Sequence, residues 1–299
     1  MTRPASPAEF AAWDVAHVWH GFTQMAEYEP LVIERAEGCW LTTVDGRRLF
    51  DGVSSLWCNL HGHRHPAIDA AVREQLDRVA HVTTLGMVAA PAVELSRRLA
   101  ELAPGDLNHA FYASDGAAAV EAALKMAFQY WRQCKATTGV AGDDQREPPG
   151  NSQSSAAPLG AALRSVPSHP EYKTKYLAYG GAYHGDTLGS TAVGGVAAFH
   201  AMFAPLLCDV VRLEAPDRRV PAGAAPAEST AYHLGKLEEV LAARHAEIAA
   251  LVIEPLVQGA AGMVMQPPGY LRGVRELTER YGVLMIADEI VTGFGRTGA

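Results

Sequence analysis

Four short extended runs set the frame for this chain: "KYLAYG" (175–180), "DVVRL" (209–213), "ALVIEP" (250–255) and "VLMIAD" (283–288). Most are apolar at odd and even positions alike, so neither face of such a strand looks onto water. Between the later runs lie amphipathic helical patterns near 235–247 and 269–281, the second preceded by Pro267 and Pro268, which suit a helix start. Strands apolar on both faces that alternate with helices predict an α/β fold, a mainly parallel sheet covered by helices on both faces. Ligands of such sheets bind beyond the carboxyl ends of the strands, so that rim is where chemistry is expected.

The rest of the chain fits around this sheet. "PAVELSRRLAEL" sets Ala92, Leu95, Leu99 and Leu102 on one helical face, and "DGAAAVEAALKMAFQYW" does the same with Val120, Leu124, Ala127 and Trp131. The aromatic run at 110–114 reads as a further short strand. Residues 1–60 hold two extended stretches within "LVIERAEGCWLTTVDGRRLFDG", with a turn at Asp45-Gly46, and so predict an N-terminal segment with a hairpin beside a larger domain at 61–299. From Cys134 to about Tyr172 the chain is rich in Pro, Gly, Ser and Ala without periodicity, which predicts a mobile surface insertion at 134–172.

Composition removes some function classes. A net charge of −8 argues against a nucleic-acid partner. No run approaches the length of a membrane span, and "MTRPASPAEF" lacks the apolar region of a secretory signal. The four cysteines, Cys39, Cys58, Cys134 and Cys208, are scattered, as expected of free thiols in a reducing cytoplasm.

Several motifs fall on the expected rim. The last strand runs into Asp288 and Glu289; a carboxylate there is costly unless something positive or protonated meets it. A salt bridge to Arg296 or a helix cap would answer that need, and so would the ring nitrogen of a pyridine cofactor. In "SDGAAAVEAAL", Ser114 or Asp115 caps a helix whose first N–H groups, from Gly116 and Ala117 onward, are free to meet an anion, although a plain cap explains the same letters. "YGGAYHGDT" (179–187) presents Tyr183 and His184 between glycines, where an aromatic ring can stack on a flat ligand or simply close a turn. "IEPLVQGAAG" offers Glu254 and Gln258 after a strand. "HGHRHP" (61–66) alternates three histidines, but Gly62 and Pro66 favour a loop, and no metal site is expected.

Together these motifs resemble the class III pyridoxal-phosphate aminotransferases. "VLMIADEIVTGFGRTG" is similar to their signature without a gap, and the order SDGA, YHGD, EPLVQ, DE follows theirs over about residues 17–299. The resemblance implies the large domain of a fold-type-I aminotransferase with an N-terminal small-domain segment, and pyridoxal 5'-phosphate as cofactor. It implies Asp288 as partner of the pyridine nitrogen, Tyr183 stacked on the ring, Gly116 and Ala117 at the phosphate, and Gln258 near the ring hydroxyl. Ala117 stands where many relatives carry Ser or Thr, so its contact is expected from the backbone alone.

Within that family "VWHGFTQM", "FDGVSSLWCNLHGHRHP", "ALKMAFQYW" and "AYHGDTLGS" are most similar to the biotin-pathway branch, which aminates 8-amino-7-oxononanoate with S-adenosylmethionine or, in some members, lysine as donor. This places Phe22, Leu56, Trp57 and Tyr183 at the substrate and implies a homodimeric parent. A broad ω-amino-acid or amine transaminase of the same family is the second expectation, and a non-catalytic fragment the third. The family's Schiff-base lysine lies beyond GFGRTG, and none of Lys125, Lys135, Lys173, Lys175 and Lys236 holds that place. The chain is therefore expected to be a truncated part of a longer enzyme, without its C-terminal part and inactive alone.

Overall fold

The computed structural model describes residues 5–138 and 173–298, with the side chains of 134–138 left out. The chain falls into two compact units, Met1–Ala110 and Phe111–Ala299.

The first unit opens with helix α1 (Pro7–His17), whose start is closed reciprocally. The Ser6 hydroxyl accepts from the Glu9 N–H at 3.3 Å, while the Glu9 carboxylate accepts from the Ser6 N–H at 2.7 Å. Strands β1 (Ile33–Glu37), β2 (Trp40–Thr43) and β3 (Arg48–Phe50) form an antiparallel meander, one strand more than the expected hairpin. The β2–β3 turn falls at Asp45-Gly46, with Gly46 at φ +87°. Helices α3 (Pro66–Arg78) and α4 (Ala90–Leu102) complete the unit, and Pro66 supplies the first turn of α3.

Between β3 and α3 lies an unusual turn, α2 (Ser54–Trp57). Ser54, Ser55, Leu56 and Trp57 have φ values of 53°, 48°, 60° and 71°, so four successive L-residues with side chains wind left-handed. Such a conformation costs about 1–2 kcal/mol per residue and persists only where surrounding contacts over-determine it.

The second unit is the α/β layer structure. Strands β4 (Lys175–Tyr179), β5 (Val210–Leu213), β6 (Ile248–Ile253) and β9 (Leu284–Ala287) form a four-stranded sheet in the order β5-β4-β6-β9, with every neighbouring pair parallel. All six residues of β6 are buried. Alternate side chains enter opposite cores. Leu177, Tyr179, Val211, Leu251 and Ile253 pack against Leu237 and Leu241 of α8 (Pro226–Arg244) and Val274 and Leu277 of α9 (Tyr270–Arg280). Tyr176, Ala178, Ala250 and Val252 pack against Val120, Leu124 and Ala127 of α5 (Gly116–Thr138) and Val193 of α6 (Leu188–Val193). Burying one such Leu, Ile or Val side chain contributes about 1.5–3 kcal/mol, so these two cores hold the strand ends in place. A short helix α7 (Ala197–His200) and a 3-10 turn lead to β5, and a small antiparallel pair, β7 (Val257–Gln258) with β8 (Val264–Met265), follows β6.

Three local expectations change. Residues 110–114 form no strand: Phe111 and Tyr112 are exposed, and no described strand offers them a ladder. Helix α8 begins at Pro226 rather than near 235, because Pro226 occupies its first turn and the Glu228 carboxylate accepts from the Ala225 N–H at 2.9 Å. Residues 139–172 of the expected insertion lie outside the described residues, and 134–138 are the end of α5.

Candidate functional site

The carboxyl ends of β4, β6 and β9 feed three loops that meet beside the start of α5. After β4 the chain turns through Gly180 and Gly181 to Tyr183 and His184. After β6 comes Glu254, and after β9 comes Asp288.

Asp288 is fixed first by its backbone: its N–H donates to the Ile253 carbonyl at 2.8 Å, prolonging the β6–β9 ladder by one rung. Its Oδ2 lies 2.7 Å from His184 Nδ1, with the imidazole 0 % and the carboxylate 7 % exposed. Oδ1 accepts from the Ile290 N–H at 3.2 Å. Thus the partner that meets this carboxylate is a histidine from the loop after β4. The other imidazole nitrogen, Nε2, is buried without a hydrogen-bond partner among the described residues.

Glu254 ties the same loop to the next one. Oε1 accepts from the Tyr183 N–H at 3.0 Å and Oε2 from the Gly259 N–H at 2.8 Å. Burial pushes its pKa up, against the lowering effect of those two N–H donors. Gln266 braces the turn from behind: its Nε2 donates to the Glu254 carbonyl at 2.6 Å and its Oε1 accepts from the Leu256 N–H at 3.1 Å. Gln258 donates from Nε2 to the Gly180 carbonyl at 3.3 Å, and its buried Oε1 has no partner among the described residues.

The start of α5 packs onto these loops. Asp115 is the cap, with Oδ1 accepting from the Ala118 N–H at 2.8 Å; that bond and the Ser114 hydroxyl hold its carboxyl below the usual range. Gly185, at φ +112°, passes so close to Ala117 that a side chain there would overlap the Ala117 methyl and backbone. A side chain at Gly116 would press on Ile290 at 3.0 Å. Gly116, Ala117, Tyr183, Gln258 and Asp288, all expected from the sequence, are therefore joined through direct neighbours.

Tyr183 is half-buried, its hydroxyl donating to Asp186 at 2.8 Å and its ring edge-on to Phe199 at 6.1 Å. Burial, then the Asp186 carboxylate, push its pKa up to about 12. Of the described lysines in this unit, Lys175 stands at the amino end of β4, opposite the rim, paired with Asp209 and Glu247.

The remaining three expected residues belong to the first unit. Leu56 and Trp57 lie together in α2, and Phe22 follows α1 at φ 53°. In "HGHRHP", His63 Nε2 contacts Asp51 Oδ2 at 2.8 Å, and no group of three potential metal ligands occurs among the described residues. The sequence reading missed the His184–Asp288 pair and the Gln266 brace. The only signal for the first was a histidine held between glycines on the rim, and nothing marked the second.

Pyridoxal phosphate, the group the resemblance implies, fits this donor set. The first turn of α5 offers N–H groups and a dipole to an anion. Gln258 Oε1 is a buried acceptor in need of a donor, and Asp288 is a carboxylate that a protonated ring nitrogen would satisfy.

Comparison with known proteins points the same way. The pattern of the family described as aminotransferase class-III matches residues 23–299. An adenosylmethionine-8-amino-7-oxononanoate aminotransferase of Nitratidesulfovibrio vulgaris is 47% identical over 295 residues, 97% of this chain and 48% of the relative. The crystal structure of the enzyme of that name from Methanocaldococcus jannaschii aligns with a TM-score of 0.77 at 33% identity, covering 97% of this chain and 56% of that one. A thermostable (S)-enantioselective omega-transaminase from Thermomicrobium roseum aligns with a TM-score of 0.83 at 35% identity, covering 99% and 60%. The chain spans about half the length of the curated relatives it matches. The second unit has the architecture of the fold-type-I aminotransferase large domain, and pyridoxal phosphate is the cofactor of that class. With its sequence matched over residues 23–299 and the expected rim residues joined beside one helix start, the chain belongs to the class III aminotransferases.

Proposed function

We propose that the protein of which this chain is part transfers an amino group to 8-amino-7-oxononanoate, giving 7,8-diaminononanoate for biotin synthesis. The observation that carries the reading is the 47% identity to an aminotransferase named for that substrate and for adenosylmethionine, over 97% of the chain. S-adenosylmethionine is accordingly the proposed donor, lysine the alternative. Bound pyridoxal phosphate supplies a conjugated ring that accepts the electron pair released when the substrate loses a proton.

The chain's own residues have distinct tasks in this reading. Gly116 and Ala117 receive the phosphate on backbone N–H groups at the start of α5. Asp288 would face the ring nitrogen and keep a proton on it, since an adjacent carboxylate favours the charged form. His184, held to Asp288 at 2.7 Å, fixes the direction in which that carboxylate points. Tyr183 would cover one face of the ring, and Gln258 Oε1 would accept from the ring hydroxyl. Phe22, Leu56, Trp57 and Tyr183 contact the substrate. The proposal includes a large domain beginning near residue 61, a homodimeric parent and a cytoplasmic location.

The test is growth of a biotin auxotroph, lacking its own enzyme for this step, on the gene that encodes the protein. Growth without biotin supports the reading, and failure by a folded, cofactor-loaded protein rejects it. A second reading, a broad amine transaminase, is favoured by the 35% identity and TM-score of 0.83 to an omega-transaminase. It predicts turnover of simple amines with an α-keto acid and no rescue of the auxotroph.

A further inference from the structure

The left-handed turn α2 is surrounded by hydrogen bonds that converge on one carboxylate. Asp51, at the end of β3, accepts from the Ser55 N–H at 2.9 Å through Oδ1 and from the Ser55 hydroxyl at 2.9 Å through Oδ2. The same Oδ2 meets His63 Nε2 at 2.8 Å, and the Asp51 side chain is only 5 % exposed. The far side of the imidazole is occupied too, with Asn59 Nδ2 3.4 Å from Nδ1. An imidazole that carries its proton on Nε2 donates to Asp51 and accepts from Asn59, so one neutral tautomer satisfies both contacts.

His63 is itself anchored by its backbone. Its N–H donates to the Gly38 carbonyl at 2.7 Å, and its carbonyl accepts from the Gly38 N–H at 3.0 Å. This bridge pins it to the turn between β1 and β2. A side chain at the preceding Gly62 would sit 2.9 Å from the Gly38 carbonyl oxygen, so Gly62 lets the two backbones approach. The path from the meander through His63 and Asp51 to Ser55 is continuous, and it ends on the turn that carries Leu56 and Trp57.

We propose that Asp51 and His63 are positioning residues for substrate: their brace holds α2 left-handed and thereby sets where Leu56 and Trp57 meet the amino acceptor. This rests on the reading that Leu56 and Trp57 contact the substrate. The brace acts on substrate through Leu56 and Trp57 without touching it.

The experiment compares wild type, His63→Ala, Asp51→Asn and His63→Gln in the cofactor-loaded protein. Backbone hydrogen exchange is followed in a peptide spanning 52–60, alongside cofactor affinity and the steady-state constants for the amino acceptor. In His63→Ala, exchange in that peptide should accelerate about tenfold or more, the local signature of a released turn. KM for the acceptor should rise about tenfold, with kcat and cofactor affinity changed much less. His63→Gln, whose amide can again donate to Asp51, should recover much of both. Should His63→Ala not fold, Asp51→Asn, which keeps the shape and removes the charge, carries the same readouts. Unchanged exchange at 52–60 in the folded variants overturns the brace. Faster exchange with an unmoved KM leaves the brace standing and overturns instead the assignment of Leu56 and Trp57 to the substrate.

Discussion

His184 and Asp288, 104 positions apart, share a 2.7 Å hydrogen bond in which the imidazole is wholly enclosed. The pair joins the loop after β4 to the end of β9, so the carboxylate at the rim is oriented by a residue from another strand. Replacing His184 by Ala removes that bond, leaves the Ile290 N–H on Oδ1 and opens a void. A loss of about 1–3 kcal/mol in unfolding free energy is expected, measured by urea denaturation.

Asp288→Asn tests chemistry rather than stability. The amide keeps the size of the carboxylate but cannot balance a protonated ring nitrogen. Amino transfer should fall about a hundredfold or more while the fold, followed by circular dichroism, is retained. Near-normal turnover would remove Asp288 from its assigned role.

Gly185→Ala should be costly for two reasons at one position. The backbone there has φ +112°, and the new methyl would overlap Ala117 at the start of α5. The expected penalty is about 1–3 kcal/mol, accompanied by weaker cofactor retention because the helix start must move. Equilibrium dialysis of the cofactor measures the second effect separately from the first.

Tyr179 and Tyr270 face one another through their hydroxyls at 2.9 Å, both almost completely buried. Changing either one to Phe strands the other hydroxyl and should destabilise by about 1–3 kcal/mol. Changing both removes the orphan, so the double variant should lose clearly less than the two single losses combined. A double-mutant cycle from thermal unfolding decides this.

Acid should loosen the first unit through Asp51, whose carboxyl is drawn down to about 2, chiefly by the Ser55 N–H and then by His63. A folded-state value below the ordinary aspartate value of 3.8 means that this contribution is fully present above about 3.8 and is lost as pH falls through about 2. Exchange at 52–60 should therefore rise across that window, and Asp51→Asn should flatten the dependence.

How much of this was legible in the sequence depended on range. The strands at β4, β6 and β9 announce themselves because a parallel sheet covered on both sides leaves no polar face to break the run. The α5 stripe of Val120, Leu124 and Ala127 is equally plain, and all three are buried as its period requires. The aromatic run at 110–114 misled because β-propensity is realised only when a neighbour supplies a ladder. Gly235 obscured the start of α8, since a glycine within a helical pattern lowers local propensity although the helix runs through it. The His184–Asp288 and His63–Asp51 pairs were invisible for another reason. No periodicity links residues brought together by topology, and His63 in "HGHRHP" looked like one of three equivalent histidines.

The strand order has a bearing on synthesis. The inner strand β4 is flanked by β5 and β6, both of which come later in the chain. On a ribosome adding about 5–20 residues per second, Lys175–Tyr179 therefore waits several seconds, up to about a quarter of a minute, before Ile248–Ile253 arrives to pair with it. During that interval β5 can pair with one edge of β4, but the other edge is without its partner strand, an exposed strand edge of the kind that makes a nascent chain prone to association.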